Sequence, residues 1–170
     1  MNHDLHLSIP ADVPYIDSTR EFDFSVAAVF RAHTDPDLVN QWLGPRRLRM
    51  DIDHYEARTG GSYRYLHTGE DGVSYGFAGV FHTVRENELI IQTFEYDGFP
   101  DTVSLEFLRF EDRGGRRTRL VGHSVYPTQE ARDGMAASGM EEGMQQGYER
   151  LEELLGEPLG EPSGPATPGG

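Results

Sequence analysis

The chain contains no cysteine, and that absence removes disulfides, thiolate nucleophiles and cysteine-based zinc sites from consideration. It fits a reducing compartment, so a cytoplasmic protein is expected. Long apolar runs are missing as well: none approaches the roughly 18 residues of a membrane span. The N-terminal MNHDLHLSIPADVP has neither the basic nor the apolar segment of a secretory signal. Positive charge is scarce, with 15 basic against 29 acidic residues and a formal net charge of -14. Such a balance argues against nucleic acid as a partner, because phosphate backbones are bound by clustered basic side chains that displace counterions. It argues equally against an anionic membrane surface. Arg46, Arg47 and Arg49 form a basic cluster too short to reverse this, and read as a solvated edge strand whose charge discourages sheet-to-sheet pairing. No HExxH motif occurs, and His3 with His6 lies in a polar leader, so neither a metal nor another cofactor is expected.

What is present fits one domain, since 170 residues can bury a real core without being divided. Residues 1–12 are polar and aperiodic and read as a flexible leader. Residues 157–170 are rich in Gly and Pro and read as a disordered tail. Between them, residues 13–156 carry nearly all of the aromatic side chains.

Residues 13–24 alternate loosely, as a strand does. Ser25 then offers an N-cap, with Phe24 placed to staple onto Val29, so SVAAVFRA opens a short helix. Thr34-Asp35-Pro36-Asp37 restarts the pattern, with a proline in the first turn and an acid at the positive helix end. This second short helix carries Trp42 and ends at Gly44-Pro45. From 46 to 126, turn signals at Thr59-Gly60-Gly61, Gly69-Glu70-Asp71-Gly72, Glu86-Asn87, Asp97-Gly98-Phe99-Pro100 and Arg113-Gly114-Gly115 divide successive strands of an antiparallel meander. Val103, Leu105 and Phe107 alternate with Ser104 and Glu106, which predicts the first set on the buried face and the second in water. Over 127–155, Met135, Met140, Met144, Tyr148, Leu151, Leu154 and Leu155 recur at three- and four-residue steps. That spacing predicts a single long amphipathic helix, capped by Thr128, as the cover of the sheet.

The strings IDSTREFDFSVAAVFRAHTDPDLVNQWLGP (16–45), ARTGGSY (57–63), FAGVFHTV (77–84), TRL (118–120) and SGMEEGMQQGYERLEELL (138–155), in this order and spacing, resemble the START-like or SRPBCC superfamily. Within it they resemble the family named for homologues of the activator of the heat-shock-protein ATPase. The resemblance implies an α+β helix-grip fold. A curved antiparallel sheet of about seven strands has two short helices after strand 1, and a long C-terminal helix lies across its concave face. It also implies a cavity between sheet and helix, in which members bind or transform lipids, sterols or polyketides; one resembling group sequesters reactive natural products, and the eukaryotic namesake docks on a chaperone. This chain departs from the family in the last helix, where Met144 stands in place of a frequent Trp. Gly139, Gly143 and Gly147 line up beside it. Each glycine costs a helix about 0.5–1 kcal/mol relative to alanine, so either another backbone approaches closely or room is being left for a ligand.

The candidate lining residues are Trp42, Tyr63, Tyr65, Phe77, Phe81, Phe94, Phe107, Met140, Met144 and Tyr148. Aromatic rings and methionines suit an irregular apolar ligand, and tyrosine adds one polar handle. Each of them also serves as ordinary core. His54, His82 and His123, on predicted strands, are the candidate acid–base groups should any point inward beside a tyrosine or carboxylate. The expectation is a monomeric or homodimeric binder of a hydrophobic small molecule, without catalysis and with a sequestration, stress or self-resistance role. Two alternatives stand beside it: a polyketide cyclase-, aromatase- or dehydratase-like enzyme working without metal, and a chaperone-docking module.

Overall fold

The computed structural model describes residues 3–157. The tail expected to be disordered lies, but for residue 157, outside the described residues. Strands β1 (His6–Ser8) and β2 (Tyr15–Phe22) precede helices α1 (Val26–Thr34) and α2 (Pro36–Trp42). A meander follows: β3 (Arg49–Tyr55), β4 (Ser62–Thr68), β5 (Ser74–Arg85), β6 (Leu89–Tyr96), β7 (Ser104–Asp112) and β8 (Thr118–Val125). Helices α3 (Gln129–Ala136) and α4 (Met140–Gly156) close the described chain.

Local chemistry explains the helix starts. The Ser25 hydroxyl accepts from the Ala28 amide at 3.2 Å, the Asp35 carboxylate accepts from the Asp37 amide at 3.0 Å with Pro36 in the first turn, and the Thr128 hydroxyl accepts from the Ala131 amide at 3.0 Å. Each side chain satisfies an amide that the helix leaves without a partner.

All strands join one antiparallel eight-stranded sheet in the order β1-β2-β8-β7-β6-β5-β4-β3. Register shifts between Ile52 and His54 in β3, and between Phe81 and Thr83 in β5, are the irregularities that bend such a sheet. The count of eight corrects the expected seven, because part of the polar leader is ordered: His6, Leu7 and Ser8 pair with Thr19, Ser18 and Asp17. Arg132, buried in α3, also donates to the Pro10 carbonyl and holds the leader down.

The cover is likewise two helices rather than one. Gly139 stands between them at φ +85°, in the left-handed region, with open space around it. Left-handed backbone is costly for residues with a Cβ, so the glycine is what lets the chain turn between α3 and α4.

A third correction concerns β7. Phe110 pairs with Leu120 and both are buried, so counting back by twos puts Leu108, Glu106 and Ser104 on the helix-covered face. Ser104 is only 3% exposed, while Leu105 is 37% exposed. The alternation was real but its two faces were assigned in reverse. The convex face is itself apolar here, carrying Leu105, Phe107 and Val121, so hydrophobicity could not mark the inside.

The core lies between α1, α2, α4 and the concave face. Phe30 of α1 meets Phe110 edge-on at 5.0 Å between ring centres, and the Trp42 indole N–H donates to the Ala32 carbonyl at 2.8 Å. Tyr148 of α4 stacks on Trp42 at 5.9 Å and meets Phe22 edge-on at 5.5 Å. The α4 backbone sits close to the α2–β3 connection, since a Cβ added at Gly147 would lie 3.4 Å from both the Gly44 nitrogen and the Trp42 carbonyl oxygen. Backbone approach therefore explains this member of the glycine stripe. Arg150 donates to the Gln41 and Gly44 carbonyls at 2.8 and 3.2 Å, and Arg20, buried on β2, pairs with Glu152 at 2.7 Å.

Candidate functional site

Three polar side chains meet on the concave face. Gln92 of β6 pairs with Glu106 of β7, which pairs in turn with Ser124 of β8, so the three stand in a row across the sheet. The Ser124 hydroxyl donates to a Glu106 carboxylate oxygen at 3.4 Å, and Gln92 bonds to the same group. Glu106 is surrounded by protein yet keeps some exposed surface, as do Gln92 and Ser124. Burial pushes its carboxyl up to about 7, and the hydrogen bonds from Gln92 and Ser124 oppose that only in part. No cation faces it: Arg20 is engaged with Glu152. A carboxyl held near neutrality inside a fold is able either to bind a donor or to move a proton.

Tyrosines frame this row. Burial raises the hydroxyls of Tyr55, Tyr63, Tyr65, Tyr126 and Tyr148 above the ordinary tyrosine range, and the Glu106 charge adds to the effect in all five. Two of them are fixed by backbone: Tyr55 donates to the His33 carbonyl at 2.9 Å and Tyr63 to the Thr93 carbonyl at 2.6 Å. Tyr63 reaches that carbonyl across Gly79, where a Cβ would fall 2.6 Å from the phenol oxygen. Beyond them the rings of Tyr63, Tyr65, Phe77 and Phe94 follow one another face to face, at 5.9, 5.3 and 5.4 Å with interplanar angles of 18°, 29° and 28°. Phe77 and Phe94 are only partly buried although they face inward, as are Leu108 and Met144 of α4.

Of the expected lining residues, Tyr65, Phe77, Phe94 and Met144 thus belong to this concave region, and Tyr63 supports it. Trp42, Phe81 and Tyr148 are closely packed core. Met140 stands in the first turn of α4, outside the core cluster. Phe107 is a correction: it lies on the convex face beside His123, with ring centres 6.0 Å apart, because its neighbours Glu106 and Leu108 take the inside.

The three candidate histidines are also on the convex side. His54 contacts Asp53 at 2.8 Å and Ser62 at 3.0 Å, His82 contacts Thr83 at 2.8 Å, and His123 contacts Asp17 at 2.5 Å with Tyr15 against its ring. The buried histidines are His33 and His67, 6% exposed each. His33 packs edge-on to Trp42 and Phe110, its Nδ1 2.8 Å from the Val29 carbonyl. His67 faces inward between Tyr65 and Phe77, against Gly44, and its Nε2 is buried without a partner. Burial depresses both imidazoles to about 4, so both are neutral at physiological pH. Among the described residues no group of three or more His, Asp or Glu could hold a metal ion, and no helix is long and apolar enough to cross a membrane.

Two surface clefts lie away from this region. One, of about 230 Å³, runs between β1 and the outer end of β2 by His6, Thr19 and Arg119; the other, of about 360 Å³, lies along β3 and β4 by Asp51, Ile52 and Arg64. Both are shallow and largely open.

Comparison with known proteins agrees with this architecture. A crystal structure from Rhodobacter sphaeroides is 28% identical and superposes with a TM-score of 0.82, covering 89% of this chain and 97% of the other. A solution structure from Arthrobacter aurescens is 25% identical with a TM-score of 0.81, covering 91% and 92%. Protein Ms6760 from Mycobacterium smegmatis, at 23% identity and a TM-score of 0.80 over 90% and 97%, shares the fold. No match is found among curated proteins. The family model described as activator of Hsp90 ATPase homolog 1-like protein matches residues 23–156, which takes in both short helices, the whole meander and α4, and the chain belongs to that family.

Proposed function

We propose that the protein binds a small, flat, largely apolar molecule on the concave face beneath α4. The observation that carries this reading is the inward ladder of Tyr65, Phe77 and Phe94, whose last two rings stay partly exposed beside one polar row of Gln92, Glu106 and Ser124. Apolar surface with a few convergent polar groups is what small-molecule sites are made of. Met144 of α4, half-buried against the core, adds a deformable apolar side chain. Family membership supports the reading, since proteins of this kind often bind hydrophobic ligands.

A panel of hydrophobic and aromatic compounds tests it by thermal denaturation of the full chain. Binding to the native state raises the transition temperature, by an amount that grows with ligand concentration. At least one compound should do so, and Phe94→Ala should weaken the effect at least tenfold. A panel without any stabilising compound would remove the proposal.

A second reading rests on Glu106. A carboxyl poised near pH 7 suits general acid–base catalysis on a bound, positioned substrate, so a cyclase- or dehydratase-like enzyme would work through this carboxyl and not through a histidine. Mass spectrometry of bound compounds after incubation distinguishes the two. Turnover lost in Glu106→Gln and kept in His123→Asn favours the enzyme, and an unchanged compound favours the binder.

A further inference from the structure

The balance of donors and acceptors around Glu106 narrows the ligand class. The Ser124 hydroxyl donates to the carboxylate, and Gln92 bonds to it as well, necessarily through its amide N–H if the carboxyl is ionised. The hydroxyls of Tyr55 and Tyr63 are spent on the carbonyls of His33 and Thr93, and Tyr126 is hydrogen-bonded to Ser124. Of the five tyrosines that frame the row, Tyr65 and Tyr148 lack such a partner, and a hydroxyl also accepts. No lysine occurs in the chain, and the buried Arg20 guanidinium is engaged by Glu152. What the row presents to an incoming molecule is therefore mostly acceptor: the remaining lone pairs of Glu106 and the Gln92 carbonyl, against the one N–H that Gln92 does not spend on Glu106. Beside it stand aromatic faces, which carry negative potential and attract cations. The net charge of -14 adds a long-range field of the same sign.

On the reading that this face binds a flat apolar molecule, we infer that the ligand class is an aromatic amine, its ring body against Phe77 and Phe94 and its protonated nitrogen bonded to Glu106. An uncompensated buried carboxylate is unfavourable, and an ammonium or amidinium group supplies the missing partner. A neutral carbonyl-bearing ligand, by contrast, would find only the second Gln92 N–H at high pH and would leave the Glu106 carboxylate without a counter-charge.

The inference fixes a pH dependence. The titratable groups that feel Glu106 are Tyr55 from β3, Tyr63 and Tyr65 from β4, Tyr126 after β8 and Tyr148 from α4; His67 lies next to Tyr65 on β4, and Arg20 of β2 is paired with Glu152. The tyrosines are raised and His67 is already neutral. Glu106 is left as the group that titrates between pH 6 and 8, and binding a cation favours its ionised form. Affinity for an amine should rise about tenfold over that range.

The test compares 1-naphthylmethylamine with 1-methylnaphthalene, of nearly the same shape, by calorimetry or fluorescence on the full chain. The amine should bind at least tenfold tighter at pH 8, the preference should fall about tenfold at pH 6, and Glu106→Gln should abolish it. Equal affinities, or a preference independent of pH, would overturn the amine assignment while leaving aromatic binding intact. Should neither compound bind, the aromatic-binding reading falls and this inference with it. The wild-type pH series decides the matter without the variant if Glu106→Gln fails to fold.

Discussion

Glu106 sets a measurable energetic signature at the scale of one residue. Its carboxyl titrates near 7 in the folded protein against roughly 4.3 in an unfolded chain. Between those values the native state holds the proton that the unfolded state releases. Stability therefore falls as pH rises through the window, and the penalty is complete above pH 7. Glu106→Gln should leave stability near pH 4 unchanged and raise it at pH 8 by roughly 1–3 kcal/mol, read from urea denaturation at the two pH values. Lower stability of the variant at pH 8 would contradict the burial argument. A second residue-scale test is Gly79→Ala. Its methyl would fall on the Tyr63 ring and the Thr93 carbonyl, so a loss of about 1–3 kcal/mol is expected from overpacking.

The same residue shows where sequence reasoning stopped. The turns around Phe99 and Gly115 were visible as Asp-Gly and Gly-Gly signals. Gln92 and Glu106 are equidistant from Phe99, and Glu106 and Ser124 from Gly115, so the polar row was available from hairpin counting alone. Hydrophobic alternation hid it, because Leu105 and Phe107 look more buriable than Ser104 and Glu106. At a functional site the usual inside-outside preference is inverted, and periodicity alone carries no sign.

At the scale of elements, the glycines of the last two helices separate into distinct physical cases. Gly139 has a left-handed backbone and marks the α3–α4 break. Gly147 is pressed against the α2–β3 connection. Gly143 is ordinary helix, since an added Cβ would meet only the Pro45 ring, at 3.8 Å. Gly143→Ala should therefore stabilise the protein by about 0.5–1 kcal/mol through helix propensity, whereas Gly147→Leu should cost about 1–3 kcal/mol or more by forcing α4 off the connection. Thermal denaturation of both variants checks the pair, and stabilisation by Gly147→Leu would refute the close-approach account. The helix starts were legible in advance because Ser25, Asp35 and Thr128 act locally. The break at Gly139 was not, since a helical hydrophobic period continues on both sides of it. The leader strand was also out of reach, as its pairing partner lies in β2 and nothing local in HLS specifies it.

At the scale of the whole molecule, two buried histidines set an acid limit that runs opposite to Glu106. His33 in the α1 core and His67 beneath α4 are both held near 4 by burial, against an unfolded value near 6.5. Below pH 6.5 the unfolded chain takes up protons that the native fold refuses, so stability is lost as pH falls toward 4. Each imidazole contributes roughly 2–3 kcal/mol over that range. Two histidines outweigh one carboxyl, so the net slope is positive up to about pH 7 and nearly flat above it. A stability that climbs to a maximum near pH 7 and then levels off is the expected result of urea midpoints measured from pH 4.5 to 8. His67→Leu isolates one contribution. It removes the unpartnered Nε2 while keeping an apolar contact between Tyr65, Phe77 and Gly44, and should nearly abolish the net loss between pH 6.5 and 5, because the remaining imidazole and Glu106 then almost cancel. An unaltered acid slope in that variant would mean that His67 finds a protonated-state partner in the fold, and would leave His33 as the histidine that sets the limit.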